Sequence, residues 1–315
     1  DQSVQVLNES AGGAIRVLTQ NTLGQFEKRS FFKTTDNLVI DRDPNDTTEL
    51  TAKKLVQGEV KDILKNYTIG PVRNTLDGFR KMAQNPSVMS FVLGVQQGEA
   101  LALEFLNNGL ASLVASIGSE AAMVWDNTDA GNAARTGGTT ISARAMNRAA
   151  GLMGDRRSAL RAIVAPSAVT TELFDNQYVE KLGEVSGTLV YGSTPGTLGY
   201  PTWVTDSPAL SFEDATDGNK LKHRVLMLTE NALILQQQPE LDMLSKVEGG
   251  RANLTAFYQA ESSYLLRVKG FSYTGDEAPT AGELADGANW DYVYSSLKDG
   301  PGVMLVVNDV ENTGS

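Results

Sequence analysis

The sequence predicts an α+β protein organised around one long helix and a projecting hairpin. Three observations carry that prediction. Apolar residues recur at helical spacing from Pro86 to Ile117, an unusually long run. The segment from Phe26 to Val60 mixes strand-favouring aromatics with charge on either side of a polar tip. From Arg161 to Val307, short apolar runs alternate with turn residues and one capped helical stretch.

Taken in order, residues 1–25 are polar apart from the pulse Ala14-Ile15-Arg16-Val17-Leu18, and read as an extended arm rather than a core element, with a short terminal helix as the alternative. The hairpin follows. Phe26-Glu27-Lys28-Arg29-Ser30-Phe31-Phe32-Lys33 leads through Val39-Ile40 to the tip Asp41-Arg42-Asp43-Pro44-Asn45-Asp46, and the chain returns through Thr47 to Leu55. Its charge density is too high for a buried hairpin, and a two-stranded arm is marginal alone, so it is expected to dock on something else. Ile69-Gly70-Pro71-Val72 reads as a turn and Asn74–Met82 as a short helix. Asn85 then offers an N-cap and Pro86 suits the first helical position. Met89, Leu93, Ala100, Leu103, Leu106, Leu110, Leu113 and Ile117 continue to a stop at Gly118. A helix over 86–117 spans roughly 48 Å. Gly94, Gly98 and Gly109 weaken it by about 1 kcal/mol each relative to alanine, and a core helix broken at Gly98 is the alternative.

Beyond Met123-Val124-Trp125, Asp126 to Thr140 reads as small and flexible. From Ala130 to Val164 there are six arginines and one acid, Asp155. Arg144 and Arg148 lie one turn apart on one helix face, and with Arg156 and Arg157 they are candidate intersubunit contacts. The absence of interleaved aromatics favours ion pairs over nucleic-acid readout. Ala162–Ala165 is a short buried strand before Pro166, and Ser167 caps a helix to about Leu182. Thr188–Tyr191 and Thr202–Thr205 are strands joined by a turn through Gly192, Pro195, Gly196, Gly199 and Pro201. Val225–Leu228, Leu233–Leu235, Leu254–Thr274 and Val303–Val307 complete the strands.

Composition narrows the chemistry. There is no cysteine and one histidine, His223, which excludes disulfides, thiol nucleophiles and two-histidine metal sites. His223 lies in Lys220-Leu221-Lys222-His223-Arg224 and reads as a solvated histidine among cations rather than a member of a Ser-His-acid triad. Asp41, Asp43 and Asn45 are spaced like calcium-loop ligands, but Asp46 stands where glycine is needed and Ala52 where glutamate is. Gly192–Gly199 lacks the Gly-Lys-Ser/Thr ending of a phosphate loop. No metal or cofactor is expected. The net charge of −11, from 27 basic and 38 acidic residues, argues against wholesale neutralisation of nucleic acid. Val88–Ile117 is interrupted by Gln96, Gln97, Glu99, Glu104, Asn107 and Asn108, so no membrane contact is expected. A start at Asp1, rather than Met, fits a proteolytic product and equally a sequence that simply begins there.

The passage Thr-Leu-Val-Tyr-Gly-Ser-Thr-Pro-Gly-Thr-Leu-Gly-Tyr-Pro-Thr-Trp-Val-Thr-Asp-Ser-Pro over 188–208 resembles the Leu-Gly-x-Pro turn of the HK97-type tailed-phage major capsid proteins, and Arg161-Ala-Ile-Val-Ala-Pro-Ser is similar to the strand-then-helix that precedes that turn. The order of arm, hairpin, long helix and mixed central region is similar to that family over most of the chain. The resemblance implies an HK97-like capsid fold. It divides the chain into an N-arm (1–25), an E-loop hairpin (26–66), a P-domain with its spine helix (67–125 and 251–315, helix 86–117) and an A-domain (126–250). It further implies a structural protein, not an enzyme, that assembles as pentamers and hexamers of an icosahedral shell around double-stranded DNA contacted non-specifically. Portal, scaffold and decoration proteins would be further partners, with assembly in the host cytoplasm and the virion as destination. Candidate intersubunit contacts in the hairpin are Phe26, Arg29, Phe31, Phe32, Lys33, Arg42, Lys53 and Lys54. Two alternatives stand beside this reading: an encapsulin-like nanocompartment shell, which usually begins with a helix that the polar arm here lacks, and a carboxylate-dependent hydrolase.

Overall fold

A computed structural model describes residues 13–310 except 22–23, 34, 36–38, 40–43, 46–47, 50, 83–85, 182–198, 219, 240 and 251. In chain order the elements begin with β1 (Ile15–Thr19), β2 (Phe26–Phe32), β3 (Gln57–Thr75), α1 (Leu76–Met82), α2 (Pro86–Ser119), β4 (Val124–Asp126), α3 (Ala130–Thr136), α4 (Ala143–Gly151) and β5 (Leu160–Ala165). They continue with α5 (Ser167–Lys181), β6 (Thr202–Val204), β7 (Ser211–Asp214), β8 (Lys220–Thr229), β9 (Leu233–Gln237), β10 (Asp242–Glu248), β11 (Thr255–Val268), β12 (Phe271–Tyr273), α6 (Ala281–Leu284), β13 (Trp290–Tyr292) and β14 (Gly302–Asn308).

Two sheets share one helix. The first runs β1-β9-β11-β3-β2, with β10 on the far half of β11; the second, central sheet runs β4-β14-β8-β5-β6, with β7 beside β8. The sheets cut across the segment boundaries expected from sequence: β9 and β10 join the first sheet although they precede residue 250, and β14 joins the central sheet.

Alternation along the central strands explains why they are covered on both faces. Ala162, Val164, Leu226, Leu228, Met304 and Val306 face α2 residues Leu110, Leu113, Val114 and Ile117. Ile163, Ala165, Val225, Met227, Val303, Leu305 and Val307 face Ala145, Met146, Ala149 and Ala150 of α4 and Val169 and Leu173 of α5.

α2 is continuous over 34 residues, about 51 Å, and is not broken at Gly98. A Cβ at Gly109 would lie 2.7 Å from Leu233 Cδ2, so this glycine lets β9 approach closely, whereas Gly94 and Gly98 face open space. Gly94–Ser119 is long and apolar enough to cross a membrane by length and composition, but Leu110, Leu113 and Ile117 are fully buried between the sheets.

Four expectations are corrected. The pulse at 14–18 is core: β1 pairs in parallel with β9, Ile15 and Val17 are buried because they alternate onto the inner face, and Ala14, just before the strand, is buried too. The hairpin's return strand starts at Gln57, not Thr47; Phe32 pairs with Gln57 and Phe26 with Ile63. Ile69–Val72 is not a chain-reversing turn. β3 continues through a cis Gly70–Pro71 bond, where its register against β11 shifts between Tyr258 and Ala260. The stretch taken as flexible contains α3, whose start is capped by the Asp129 carboxylate accepting from the Gly131 and Asn132 amides.

Candidate assembly surfaces

The hairpin is clamped at its root. Asp62 is 1% exposed and accepts from Arg29 Nε (2.8 Å) and Nη2 (3.1 Å) and from Arg267 Nε (2.8 Å), while Arg267 Nη2 reaches Glu27 at 3.2 Å. One carboxylate thus ties β2, β3 and β11 together, and three charge-assisted bonds satisfy it. Lys61 Nζ sits 3.4 Å from the Phe26 ring centroid. Phe31 lies edge-to-face on Tyr294 at 5.1 Å and covers Gly58, where any Cβ would come within 2.6 Å of the ring. Phe26, Arg29 and Phe31 thus each make contacts inside their own chain and each remains partly exposed.

Beyond the root the picture reverses. Phe32 is 72% exposed, Leu55 62% and Val56 52%. Lys33, Lys53 and Lys54 are exposed beside them. Arg42, Asp41 and Asp43 of the tip lie outside the described residues, as do Asn85 and the Gly192–Gly196 turn.

Of the arginine cluster, Arg144 and Arg148 are exposed on the outer face of α4, Arg156 pairs with Asp299, and Arg157 is half-buried with its carbonyl accepting from Tyr200.

Sequence reasoning missed β10. Met243, Leu244 and Val247 are 63%, 61% and 54% exposed on this outer strand. The short run Asp-Met-Leu-Ser-Lys-Val-Glu, bounded by Pro239 and Gly249-Gly250, was the available signal.

The central passage is structural where it is described. β6 pairs with β5 from Ile163↔Thr202 to Ala165↔Val204. Asp206 accepts from the Ser167 amide at 2.8 Å, which caps α5 and holds the Asp206 carboxyl below the usual range. Ser207 Oγ donates to Asn107 Oδ1 at 2.8 Å, fastening the passage to α2.

His223 is corrected as well. It is not solvated among cations but 4% exposed, with Nδ1 2.9 Å from Ser211 Oγ and Nε2 2.7 Å from Asp309 Oδ2. Ser211 is its cross-strand neighbour on β7, so the trio staples β7, β8 and the segment after β14. Glu172 of α5 faces the same charges; burial, then the nearby Asp309 charge, raises its carboxyl pKa. Lys222 is buried too, 2.7 Å from Asp214. Burial lowers the Lys222 pKa, but the Asp214 bond and charge, with Asp217 and Asp126, more than offset it and leave it raised.

A groove of about 890 Å³ runs between α2, the 207–214 segment and α6; its lining mixes apolar side chains such as Phe212 and Met304 with Asn107, Asn108 and the charged Asp126, Asp214, Lys222 and Arg224. The Lys222 hydrogen bond, with those from Thr216, pulls the Asp214 carboxyl well below the usual range, the wrong direction for the acid partner of a carboxylate pair. Among the described residues no cluster of three or more acidic or histidine side chains is arranged to hold a metal.

The fold has relatives. A structure from Microbacterium phage Oxtober96 matches with a TM-score of 0.57 at 10% identity, covering 93% of this chain and 88% of that one. The capsid of Ralstonia phage GP4 matches with a TM-score of 0.57 at 10% identity, covering 95% and 88%. The acid-stable capsid of Helicobacter pylori bacteriophage KHP30 matches with a TM-score of 0.54 at 11% identity, over 95% and 88%. Such identities speak to fold alone. No curated protein matches the sequence. The Gp13-like family profile, described as major capsid protein 13-like, matches residues 1–304. Over almost its whole length, then, the chain belongs to the Gp13-like family of phage major capsid proteins, structural shell proteins and not enzymes, and its α+β architecture is the HK97-like capsid fold.

Proposed function

We propose that copies of this chain form pentamers and hexamers that close an icosahedral shell around double-stranded DNA. The observation that carries this is the hairpin: a root locked by Asp62 and a far end that leaves Phe32, Leu55 and Val56 uncovered. A rigid base with an unburied apolar end belongs to a protein that finishes its burial on a neighbour. In this reading 1–25 is the N-arm, 26–66 the E-loop, 67–125 with 251–315 the P-domain and 126–250 the A-domain. Phe32, Lys33, Arg42, Lys53 and Lys54 touch a neighbouring subunit, and Phe26, Arg29 and Phe31 hold the hairpin ready. The shell meets DNA non-specifically, is built in the host cytoplasm with scaffold and portal proteins, and accepts decoration proteins outside.

Sedimentation velocity with negative-stain imaging tests the proposal. Shells, or five- and six-membered rings that convert to shells, are expected. A chain that stays monomeric at high concentration with scaffold supplied overturns it.

A further inference from the structure

The central sheet separates charge of opposite sign. On one side lies α4, whose inner face, Ala145, Met146 and Ala149, is buried on the sheet while Arg144 and Arg148 point outward. Arg161, at the register break that opens β5, is exposed as well. None of the three has a carboxylate within ion-pair distance among the described residues. On the other side the sheet is covered by α2, and the 281–292 segment rests on α2: a Cβ at Gly287 would lie 3.0 Å from the Ala115 carbonyl. That segment and the loop before it present Glu277, Asp286 and Asp291 to solvent, also without a cation at ion-pair distance among the described residues. The sheet and α2 lie between α4 and the 281–292 segment, and the ion pairs that join the two regions, Arg156 with Asp299 and Lys298 with Asp155, use none of these six side chains.

We propose that the Arg144–Arg148–Arg161 ridge of one copy docks on the Glu277–Asp286–Asp291 carboxylates of the next. This rests on the shell reading and deepens it. Unlike charges on opposite sides of one subunit specify a head-to-tail contact, which closes into rings when the rotation per step divides a full turn. Each exposed pair is weak by itself. Several arranged in complementary patches orient the encounter and reject wrong faces. The partner is a second copy rather than DNA. The chain carries a net charge of −11, so each copy holds the surplus of carboxylates that the ridge needs, and the same surplus repels a phosphate backbone. No aromatic side chain stands among the three arginines to stack a base.

The full-length chain is compared with Arg144→Glu/Arg148→Glu, with Asp286→Lys/Asp291→Lys and with all four changes together, by sedimentation velocity and negative-stain imaging. Circular dichroism and melting temperature establish that each variant is folded. Both double variants are expected to lose shells, and the fourfold variant to regain them. Should a double variant unfold, the milder Arg144→Gln/Arg148→Gln pair is expected to need a higher protein concentration for assembly and to flatten its salt dependence. Assembly of Arg144→Glu/Arg148→Glu at the wild-type concentration overturns the contact and leaves the shell reading intact. So does loss without rescue in the fourfold variant, or a Gln pair that assembles as wild type at every salt. Empty shells of wild-type form, with loss of duplex binding in a mobility shift, assign the ridge to DNA and overturn the contact. A wild-type chain that never assembles overturns the shell reading, and the contact falls with it.

Discussion

The central sheet and the hairpin are both antiparallel at heart, yet they differ in where their burial comes from. Every residue of β14 is buried, and β8 is buried over most of its length, with α2 on one face and α4 and α5 on the other. β2 has no fully buried residue. Its anchors are the Arg29–Asp62 pair, Phe26 against the core and Phe31 on Tyr294. A strand covered on both faces within its own chain belongs to the folding unit. A strand left half-covered, with phenylalanine at its free end, is stable only as far as its root and has apolar surface still to bury. The contrast divides the molecule into what folds it and what assembles it. Substitutions in the two regions should separate in the same way.

The largest effect is expected where α2 meets both sheets. Leu113→Ala removes a fully buried side chain at a site boxed in by two sheets and unable to collapse, and should cost about 3–5 kcal/mol in denaturant unfolding. Assembly would fail only because the fold fails. Asp62→Asn comes next. It leaves Arg267, whose side chain is 16% exposed, and Arg29 without their shared carboxylate, at a cost of about 3 kcal/mol. This variant lies on the boundary of the comparison: the melting temperature should fall, and proteolysis within 26–60 should quicken more than elsewhere. Uniform destabilisation would mean that the clamp serves the whole sheet rather than the hairpin.

The folding region was largely legible in the sequence, because its signals are local. The 86–117 spacing, Pro86 at the start and the apolar runs at 162–165, 225–228 and 303–307 correspond to α2, β5, β8 and β14. What stayed hidden depends on partners distant in sequence. β1 was a short pulse in a polar segment until β9, more than 200 residues on, supplied its ladder. His223 sits between Lys222 and Arg224 and looked solvated. It is buried because Asp309, 86 residues away, meets one ring nitrogen. β10 was missed because its apolar residues, Met243, Leu244 and Val247, keep no period of two and none of its side chains is buried. The candidate contacts were legible only in outline: sequence named Phe26, Arg29, Phe31, Phe32 and Lys33 alike, but alternation along β2 sets Phe31 on Tyr294 and leaves Phe32 72% exposed.

A smaller effect tests a joint in the folding region through pH. Asp206 caps α5, and the Ser167 amide holds its carboxyl below the usual carboxylate range. A depressed carboxylate contributes stability that is present above the unfolded value and is lost as pH falls through the folded one. Asp206→Ala should therefore cost about 1 kcal/mol at neutral pH, and the gap to wild type should close below pH 3.8. Glu172 has the opposite sign: burial, with the Asp309 charge, raises it above 4.5, so its ionised form is the strained one. Glu172→Gln should be neutral or stabilising at pH 7, with the advantage shrinking as acid protonates the wild-type side chain. A Glu172→Gln variant that is less stable at pH 7 would mean that the hydrogen bonds from the Thr140 side chain and the Ile141 backbone outweigh burial at that carboxylate.

The smallest effect on folding should accompany the largest effect on assembly. Phe32→Ser with Val56→Ser changes side chains that are already 72% and 52% exposed, so unfolding free energy should move by no more than about 0.5 kcal/mol. Serine keeps the β2–β3 ladder, since the Lys33 amide to Val56 carbonyl bond at 2.9 Å is made by backbone alone. The isolated chain should melt with the wild type and show the same circular dichroism. In sedimentation velocity it should stay small at concentrations where the wild type forms fast-sedimenting particles, because the apolar surface a neighbour would cover is gone. If this variant assembles normally, the exposed end of the hairpin is a solvated loop, and the division between folding region and assembly region has to be redrawn at β10, where Met243, Leu244 and Val247 are also left uncovered.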